Sequence, residues 1–258
     1  MKVLIVGDVF SKLGRASFQK NVKKIKEQEQ VDFIIVNGEN TSHGRGMNKN
    51  HYKWYMEQGV DVITLGNHAF HNKDILEYIG DAENIVRPYN FSEDSPGKGY
   101  VTMHCKGLKI TVFQVIGKVF MNSEHGNPFK AAKKILENVE SDIYICDFHG
   151  EATSEKIAFA LAFDGKIQIV FGTHTHVQTN DARILENGTA YITDVGMTGA
   201  LDGVIGVKKE IIISRYLNEV AERFSPENTG KTQFNAILVE IDENSKKPAN
   251  IDIINVIE

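Results

Sequence analysis

Apolar runs alternate with segments of helical periodicity along the first quarter of the chain. Residues 3–6 and 33–36 are continuous apolar runs, and residues 60–65 form a third, mostly apolar segment of strand length. Such runs are typical of strands that are buried on both faces of a sheet. Residues 15–28 and 48–58, which lie between these runs, repeat apolar positions at helical spacing. The resulting order, β-α-β-α-β, predicts parallel strands covered by helices.

The remainder of the chain adds a hairpin, further alternating elements and an antiparallel tail. The predicted strands are 100–105, 108–116, 142–148, 167–171, 191–193, 234–241 and 250–257, and the predicted helices are 129–139, 153–163 and 208–221. The pattern contains no internal repeat and no linker. We therefore expect an α/β fold in which residues 1–258 form a single domain, a sandwich of two mixed β-sheets flanked by helices.

The composition is that of a globular protein with a mildly acidic balance. Of 258 residues, 41% are hydrophobic and 24% are charged, and the formal net charge is −5. A protein that binds extended nucleic acid needs a concentrated basic surface, so we expect no binding to extended nucleic acid here. A small nucleotide bound through metal ions would need no basic surface. Composition leaves a homo-oligomer possible.

The number of cysteines and the first residues of the chain indicate the cellular compartment of the protein. The two cysteines, Cys105 and Cys146, form no CxxC motif, so a zinc site built on thiolates is not expected. Met1 and Lys2 lead straight into the predicted strand 3–6, which leaves no room for a signal peptide. No apolar run approaches the roughly 20 residues that span a bilayer. We expect a cytoplasmic protein with no membrane partner.

Five predicted strands each end at residues that can bind a metal ion. These residues are Asp8, the pair Glu39 and Asn40, the pair Asn67 and His68, then His149, and finally His174 and His176. In open α/β sheets, ligands gather beyond the carboxyl ends of the strands. Parallel strands would therefore bring all five groups to one rim.

The chemistry of these donors favours a pair of transition-metal ions. Oxygen and nitrogen donors without thiolate suit manganese, iron, cobalt or zinc, and suit calcium poorly. The donors outnumber those that one tetrahedral ion uses. Two ions that share a carboxylate ligand explain the number of donors better. Ions about 3.5–4 Å apart can bind both the attacking oxygen and the leaving oxygen when a phosphoryl group is transferred.

Each of these residues, taken alone, has an ordinary explanation. Asp8 could cap a turn or a helix, and His149 could be a partly buried histidine with a hydrogen-bond partner. His174 and His176 are a stronger signal, because residues i and i+2 project to the same side of an extended segment. The joint pattern at five strand ends favours the metal site.

Other polar residues near the predicted rim have open roles. His43 and Arg45 lie in the glycine-rich loop after the second strand, where they could contact substrate or belong to a solvated loop. Asp194 follows the predicted strand 191–193 and could orient a ligand histidine. A turn role for Asp194 is an equal alternative.

These motifs resemble, in the same order, those of the calcineurin-like metallophosphoesterases. The closer resemblance is to the YmdB-type bacterial branch, and it extends over essentially the whole chain. The motifs that carry it are Gly-Glu-Asn at 38–40, His-Gly-Glu-Ala-Thr-Ser-Glu-Lys at 149–156, Gly-Thr-His-Thr-His-Val-Gln-Thr at 172–179 and Tyr-Ile-Thr-Asp-Val-Gly-Met-Thr-Gly at 191–199. The resemblance implies a calcineurin-like metallophosphoesterase sandwich of four layers, α/β/β/α.

The resemblance also implies two metal ions per chain, iron or manganese, and a set of site residues. The implied ligands are Asp8, Glu39, Asn40 and His176 for one ion, and Asn67, His149 and His174, with Glu39 bridging, for the other. His68 resembles the proton donor of the family. The implied reaction is hydrolysis of cyclic nucleotide phosphodiesters, including 2′,3′-cyclic forms, by a hydroxide that bridges the ions.

The chain departs from the expected pattern at two positions. Phe10 replaces the histidine of the Asp-x-His motif of the wider superfamily; the YmdB-type branch also lacks it, and Asn40 could supply the missing ligand. His71 stands where that branch tends to have an aspartate. This second change bears on the orientation of His68 and on substrate preference.

Two further functions stay open at this point. A phosphomonoesterase acting on nucleotides or small phosphate esters would use the same pair of ions. A non-catalytic regulatory or RNA-associated protein would use metal ions only to stabilise its fold. The presence of His68 and the number of donors argue against the non-catalytic protein, and the phosphodiesterase is the preferred interpretation.

Overall fold

The computed structural model describes residues 1–121, 125–219 and 222–258. Residues 220–221, which end the predicted helix 208–221, lie outside the described residues, as do residues 122–124. Among the described residues, no helix combines the length and the hydropathy needed to cross a bilayer.

The elements alternate along the chain much as their periodicity predicts. The strands are β1 (Lys2–Val6), β2 (Asp8–Val9), β3 (Phe33–Asn37), β4 (Val62–Thr64), β5 (Ile85–Val86), β6 (Tyr100–Cys105), β7 (Leu108–Ile116), β8 (Ile143–His149), β9 (Ile169–Thr173), β10 (Arg183–Ile184), β11 (Ala190–Ile192), β12 (Met197–Ala200), β13 (Thr232–Asp242) and β14 (Lys247–Ile257). The helices are α1 (Ser11–Glu29), α2 (Lys49–Glu57), α3 (Pro128–Asn138), α4 (Thr153–Ala162) and α5 (Lys209–Asn218), with a 3₁₀ helix at Lys73–Glu77.

The first sheet has the order β2-β12-β13-β1-β3-β4-β5, and β14 pairs with β13. Strands β1, β3 and β4 are parallel to one another, as the β-α-β-α-β pattern predicts, and β5, which was not predicted, is parallel to β4. Strand β13 runs antiparallel to both β1 and β14. The sheet is therefore mixed, and the predicted C-terminal hairpin forms its antiparallel part.

The second sheet has the order β10-β11-β9-β8-β7-β6. Strands β7, β8, β9 and β11 are parallel, whereas β6 pairs antiparallel with β7 through the predicted hairpin. This sheet is also mixed. Together the two sheets and their helices confirm the predicted α/β sandwich.

Three apolar cores separate four layers. On β1, Leu4 and Val6 pack in a core with residues of α1 and α2, whereas Val3 and Ile5 pack in a second core between the two sheets. The third core joins the other face of the second sheet to α3 and α4. Successive strand residues point to opposite faces, so a strand in the middle of such a stack must be apolar at every position.

Strands β8 and β9 end further along the chain than predicted. His149 is the last residue of β8 rather than the residue after it, and β9 begins and ends two residues later than predicted. The ladder between these strands continues through the pairs Phe148–Gly172 and His149–Thr173. Backbone pairing needs no apolar side chain, so the ladder extends beyond the apolar runs from which the ends were predicted.

Candidate metal centre

The carboxyl ends of parallel strands from both sheets meet at one rim of the sandwich. Gly66, just after β4, marks how closely the segments approach there. A Cβ atom added to Gly66 would collide with the Glu39 carboxylate and would lie 2.5 Å from the His149 ring. Only glycine leaves room for these two side chains, so the loop after β4 is fitted to the site.

Glu39, His149 and His174 form the centre of the cluster. One donor atom from each lies within 4.8 Å of the donor atoms of the other two. The His149 Nε2 atom lies 3.2 Å from Glu39 Oε1 and 3.2 Å from His174 Nδ1. The Asn67 Oδ1 atom lies 2.8 Å from the same nitrogen. The structure thus brings together four of the predicted ligands from four separate segments.

Two of the three predicted ligand histidines, His149 and His176, are oriented by a hydrogen bond from the other ring nitrogen, and the third, His174, has a carboxylate near that nitrogen. His149 Nδ1 donates to Thr173 Oγ1 at 2.9 Å, because that hydroxyl donates its own proton to Asp147 Oδ1 at 2.6 Å. His174 Nε2 lies 3.3 Å from the Glu151 carboxylate, to which it can donate. Such bonds fix the tautomer and leave the opposite nitrogen with a lone pair for a metal ion.

His176 follows the same rule. Its Nδ1 atom donates to the carbonyl of Ile205 at 3.0 Å, and its Nε2 atom faces Asp8 Oδ1 at 4.0 Å. Asp8 and Asn40 are buried, and among the described residues neither Asp8 Oδ1 nor Asn40 Oδ1 has a hydrogen-bond partner. A buried polar atom without a partner is costly, so these oxygens indicate that the site takes something from solution.

The donor set fits divalent cations. Glu39 Oε1, Asn67 Oδ1 and the free nitrogen of His149 are all acceptors, and they point at one another. Acceptors converge without mutual repulsion only when a proton or a cation lies among them. The donors are oxygens and imidazole nitrogens, which is a set that manganese, iron, cobalt and zinc accept.

The pKa values of Asp8, Glu39 and His149 also indicate that positive charge is favourable at this site. Burial raises the pKa of Asp8 to about 7. Burial acts to raise the pKa of Glu39 as well, but the neighbouring His149 ring lowers it to about 2. Burial acts to lower the pKa of His149, and Glu39 raises it to about 9. Glu39 therefore holds a proton on His149, in a position where a cation would satisfy the carboxylate instead.

His68 lies beside this cluster on the cavity side. Its backbone N–H donates to Glu39 Oε2 at 2.9 Å, and its Nδ1 atom lies 2.5 Å from His71 Nδ1. One proton must lie between the two nitrogens. Burial lowers the pKa of His68 to about 4, against the Glu39 carboxylate, which acts to raise it. His71, at the position where an aspartate was expected, therefore contacts His68 directly.

A buried ion pair that the sequence did not reveal supports the two later histidines. Lys156 and Asp194 are both fully buried, and Lys156 Nζ donates to Asp194 Oδ2 at 2.8 Å. The same oxygen accepts from the backbone N–H and the hydroxyl of Thr175, which lies between His174 and His176. Both histidines have positive φ angles, 100° and 66°, which are unfavourable for residues other than glycine.

Asp194 accepts these hydrogen bonds from Thr175, between two predicted ligand histidines, and the predicted alternative that it orients them stays a prediction. Helical spacing could have predicted that Lys156 is buried. It lies three residues before Phe159 and four before Ala160, which are buried on the same face of α4. Asp147 was also missed: it accepts hydrogen bonds from Thr64, Gln114 and Thr173 beneath the site.

A cavity of about 980 Å³ opens over the cluster. Glu39, Asn40, His68, His174 and His176 form its floor. The predicted substrate-contacting residues His43 and Arg45 line one side of this cavity, as the position of their loop implies.

Solved structures define the class of protein. A hypothetical protein from Thermus thermophilus has a TM-score of 0.94 and 36% identity, with all of both chains covered. A phosphatase from Mycoplasma pneumoniae has a TM-score of 0.95 and 38% identity, covering 100% of this chain and 93% of that one. A 5′-nucleotidase precursor, also from Thermus thermophilus, at 10% identity and a TM-score of 0.61, shares the fold alone. Fold and site together define a calcineurin-like phosphoesterase, which confirms the predicted enzyme class.

Within that class the family is also clear. Residues 4–254 match the family described as YmdB-like protein, and the chain belongs to this family. A Bacillus subtilis (strain 168) relative named 2′,3′-cyclic-nucleotide 2′-phosphodiesterase is 42% identical over 253 residues, which cover 98% of this chain and 96% of the relative. The predicted resemblance to the YmdB-type branch is thereby confirmed.

Proposed function

We propose that the chain is a phosphodiesterase that hydrolyses 2′,3′-cyclic nucleotides with two bound metal ions. The observation that carries the proposal is the convergence of acceptor atoms from Glu39, Asn67, His149 and His174, with the unpartnered Asp8 Oδ1 beside His176. The substrate class is supported by the name of the Bacillus subtilis relative, which aligns over nearly the whole chain.

We assign seven ligands to the two ions, each of which is iron or manganese. Asp8, Asn40 and His176 hold one ion, Asn67, His149 and His174 hold the other, and Glu39 contacts both. This division is supported by the two groups of close contacts, one around His149 Nε2 and one between Asp8 and His176. When bound, divalent cations would activate water at neutral pH and offset the charge of a phosphate.

The reaction consists of adding water to phosphorus and breaking one bond between phosphorus and a ribose oxygen. The leaving oxygen must gain a proton, and His68 is the residue we assign to supply it. His68 lines the cavity and contacts His71, so a proton can pass between the two rings. His43 and Arg45, on the side of the cavity, are proposed to contact the substrate.

Metal analysis paired with an activity assay tests the proposal. The purified protein should contain about two transition-metal ions per chain and should hydrolyse 2′,3′-cyclic AMP. Chelation should abolish the activity, and manganese should restore it. Asp8→Asn should lower both metal content and activity, whereas Asp94→Asn, in an exposed loop, should change neither. Full activity after complete removal of metal would contradict the proposal.

A phosphomonoesterase is the second candidate, since the Mycoplasma pneumoniae structure is described as a phosphatase. Rates on bis(p-nitrophenyl) phosphate and p-nitrophenyl phosphate separate the two functions. A diesterase should act faster on the diester, and faster hydrolysis of the monoester would favour the second candidate.

The single domain, cytoplasmic location and lack of extended nucleic-acid binding stay predictions.

A further inference from the structure

One side of the cavity is formed by residues of α5 and by residues that follow it in the chain. Helix α5 has no buried residue among those described, yet it lines the cavity over the metal cluster. We call this side the distal wall. Its residues are Ile212, Arg215, Tyr216, Glu222, Arg223 and Phe224, so two arginines outnumber one carboxylate there.

The distal wall exposes aromatic rings next to positive charge. Tyr216 is 83% exposed and Phe224 is 41% exposed, which is unusual for aromatic side chains that line a cavity. The Arg215 guanidinium lies 5.2 Å from the centre of the Phe224 ring, in cation–π contact, so these two side chains hold one another in place. Exposed aromatic faces with arginine beside them are the usual surface for a stacked nucleobase.

Two contacts hold residues 205–206, which precede the distal wall in the chain, beside the metal cluster and the loop of Arg45. The first is the hydrogen bond from His176 to the carbonyl of Ile205. The second is the ring of Phe10, which lies against both Gly44 and Gly206: a Cβ atom on either glycine would lie 2.6 Å from it. Phe10 therefore joins the loop that carries Arg45 to the segment that leads into the distal wall. Ile212, in the distal wall, packs against the apolar cluster that contains Phe10.

The size of the cavity leaves room for a group beyond the phosphate. Its volume of about 980 Å³ is at the upper end of the roughly 300–1,000 Å³ typical of small-molecule sites. A phosphate at the cluster would fill only the floor. The space between the floor and the distal wall would then hold whatever is attached to that phosphate.

We propose that the distal wall binds the base of the nucleotide, with Tyr216 and Phe224 as the stacking surfaces and Arg215 as the residue that positions Phe224. This inference rests on the proposed function, because it takes the phosphate of a 2′,3′-cyclic nucleotide to lie at the metal cluster. It makes the distal wall a determinant of substrate affinity and leaves the reacting atoms to the residues of the floor.

Two substrates that share the reacting group test this inference. These are 2′,3′-cyclic AMP and glycerol 1,2-cyclic phosphate, which keeps the five-membered cyclic diester and lacks the base. Tyr216→Ala and Phe224→Ala should each raise the KM for the nucleotide by about 5- to 150-fold, the usual loss for a stacked base, and leave kcat nearly unchanged. Neither substitution should alter turnover of the glycerol ester.

Leu217→Ala is the matched control, because Leu217 lies on the same helix, is 77% exposed and does not line the cavity. It should leave both substrates unaffected. Equal losses on both substrates, or no loss with the Tyr216→Ala/Phe224→Ala double variant, would overturn the inference. A wild type that does not favour the nucleotide would overturn it as well.

Binding of adenosine 3′-monophosphate, measured by calorimetry, separates this inference from the proposed function. If the wild type binds the nucleotide and the double variant does not, the distal wall is a base site even when neither diester is hydrolysed. In that case the proposed function alone fails. Equal binding by the two proteins would reject the distal wall while leaving the reaction intact.

Discussion

Replacing Lys156 by methionine tests whether the buried ion pair supports the histidine segment. Methionine has roughly the length of the lysine stem, so the change removes the charge and leaves little cavity. It deprives Asp194 of a charged partner at 2.8 Å and removes the bond from Nζ to the Thr173 carbonyl at 2.9 Å. The Asp194 carboxylate would then be buried with no opposite charge beside it.

The size of the effect follows from the contacts that remain. Removing one partner of a buried ion pair usually lowers the free energy of unfolding by about 3–5 kcal/mol. Asp194 keeps three other donors, which are the N–H and hydroxyl of Thr175 and the N–H of Gly196. We therefore expect a loss of about 3 kcal/mol, near the lower limit of that range. For a chain of this length that corresponds to a fall in Tm of roughly 6–12 °C.

Urea unfolding followed by circular dichroism measures this loss as a change in midpoint at constant slope. Lys133→Met is the control, because Lys133 pairs with Glu137 at 3.6 Å on the surface, where both side chains are more than half exposed. That change should cost less than about 1 kcal/mol. Adding Asp194→Asn to Lys156→Met should restore part of the lost stability, because it removes the unpaired charge.

Metal affinity gives a second readout of the same substitution. Because Asp194 also holds Thr175 between two proposed ligands, Lys156→Met should weaken manganese binding by roughly 10- to 100-fold. Stability within about 1 kcal/mol of the wild type, together with unchanged manganese affinity, would refute the assigned role of the pair.

Two other substitutions test the fit of the loop after β4 and the role of His68. Gly66→Ala should lower the manganese content of the protein, because the added Cβ atom would collide with Glu39 and His149. Gly80→Ala is the control, because a Cβ atom there would have no neighbour within 4 Å, and it should leave the manganese content unchanged. Equal manganese contents in the two variants would contradict the expected collision. His68→Ala should slow turnover by roughly 10²–10⁴ while both ions stay bound, and a fall in metal occupancy would show that His68 is not the proton donor.

The layered fold was predictable because its central strands are continuous apolar runs, which are expected only where both faces of a strand are buried. Residues 3–6 have no polar position, and the structure places Leu4 and Ile5 in different cores. The donors at the strand ends were predictable for a related reason. Parallel strands carry whatever follows them to one rim, so residues far apart in sequence, such as Asp8 and His176, meet there.

The groups that orient the donors could not be predicted in the same way. Lys156 and Asp194 lie 38 residues apart, and nothing local shows that they pair. Thr173 and Asp147 are ordinary strand residues until the ladder between β8 and β9 places them beside His149. Likewise, periodicity predicts α5, but only the tertiary structure places Tyr216 over the cavity.

Anomalous diffraction from manganese-loaded crystals tests the central claim, the pair of ions, most directly. The account predicts two peaks, both within coordination distance of Glu39, one also contacting His149 and His174 and the other contacting Asp8 and His176. A single peak, or peaks away from these side chains, would contradict it.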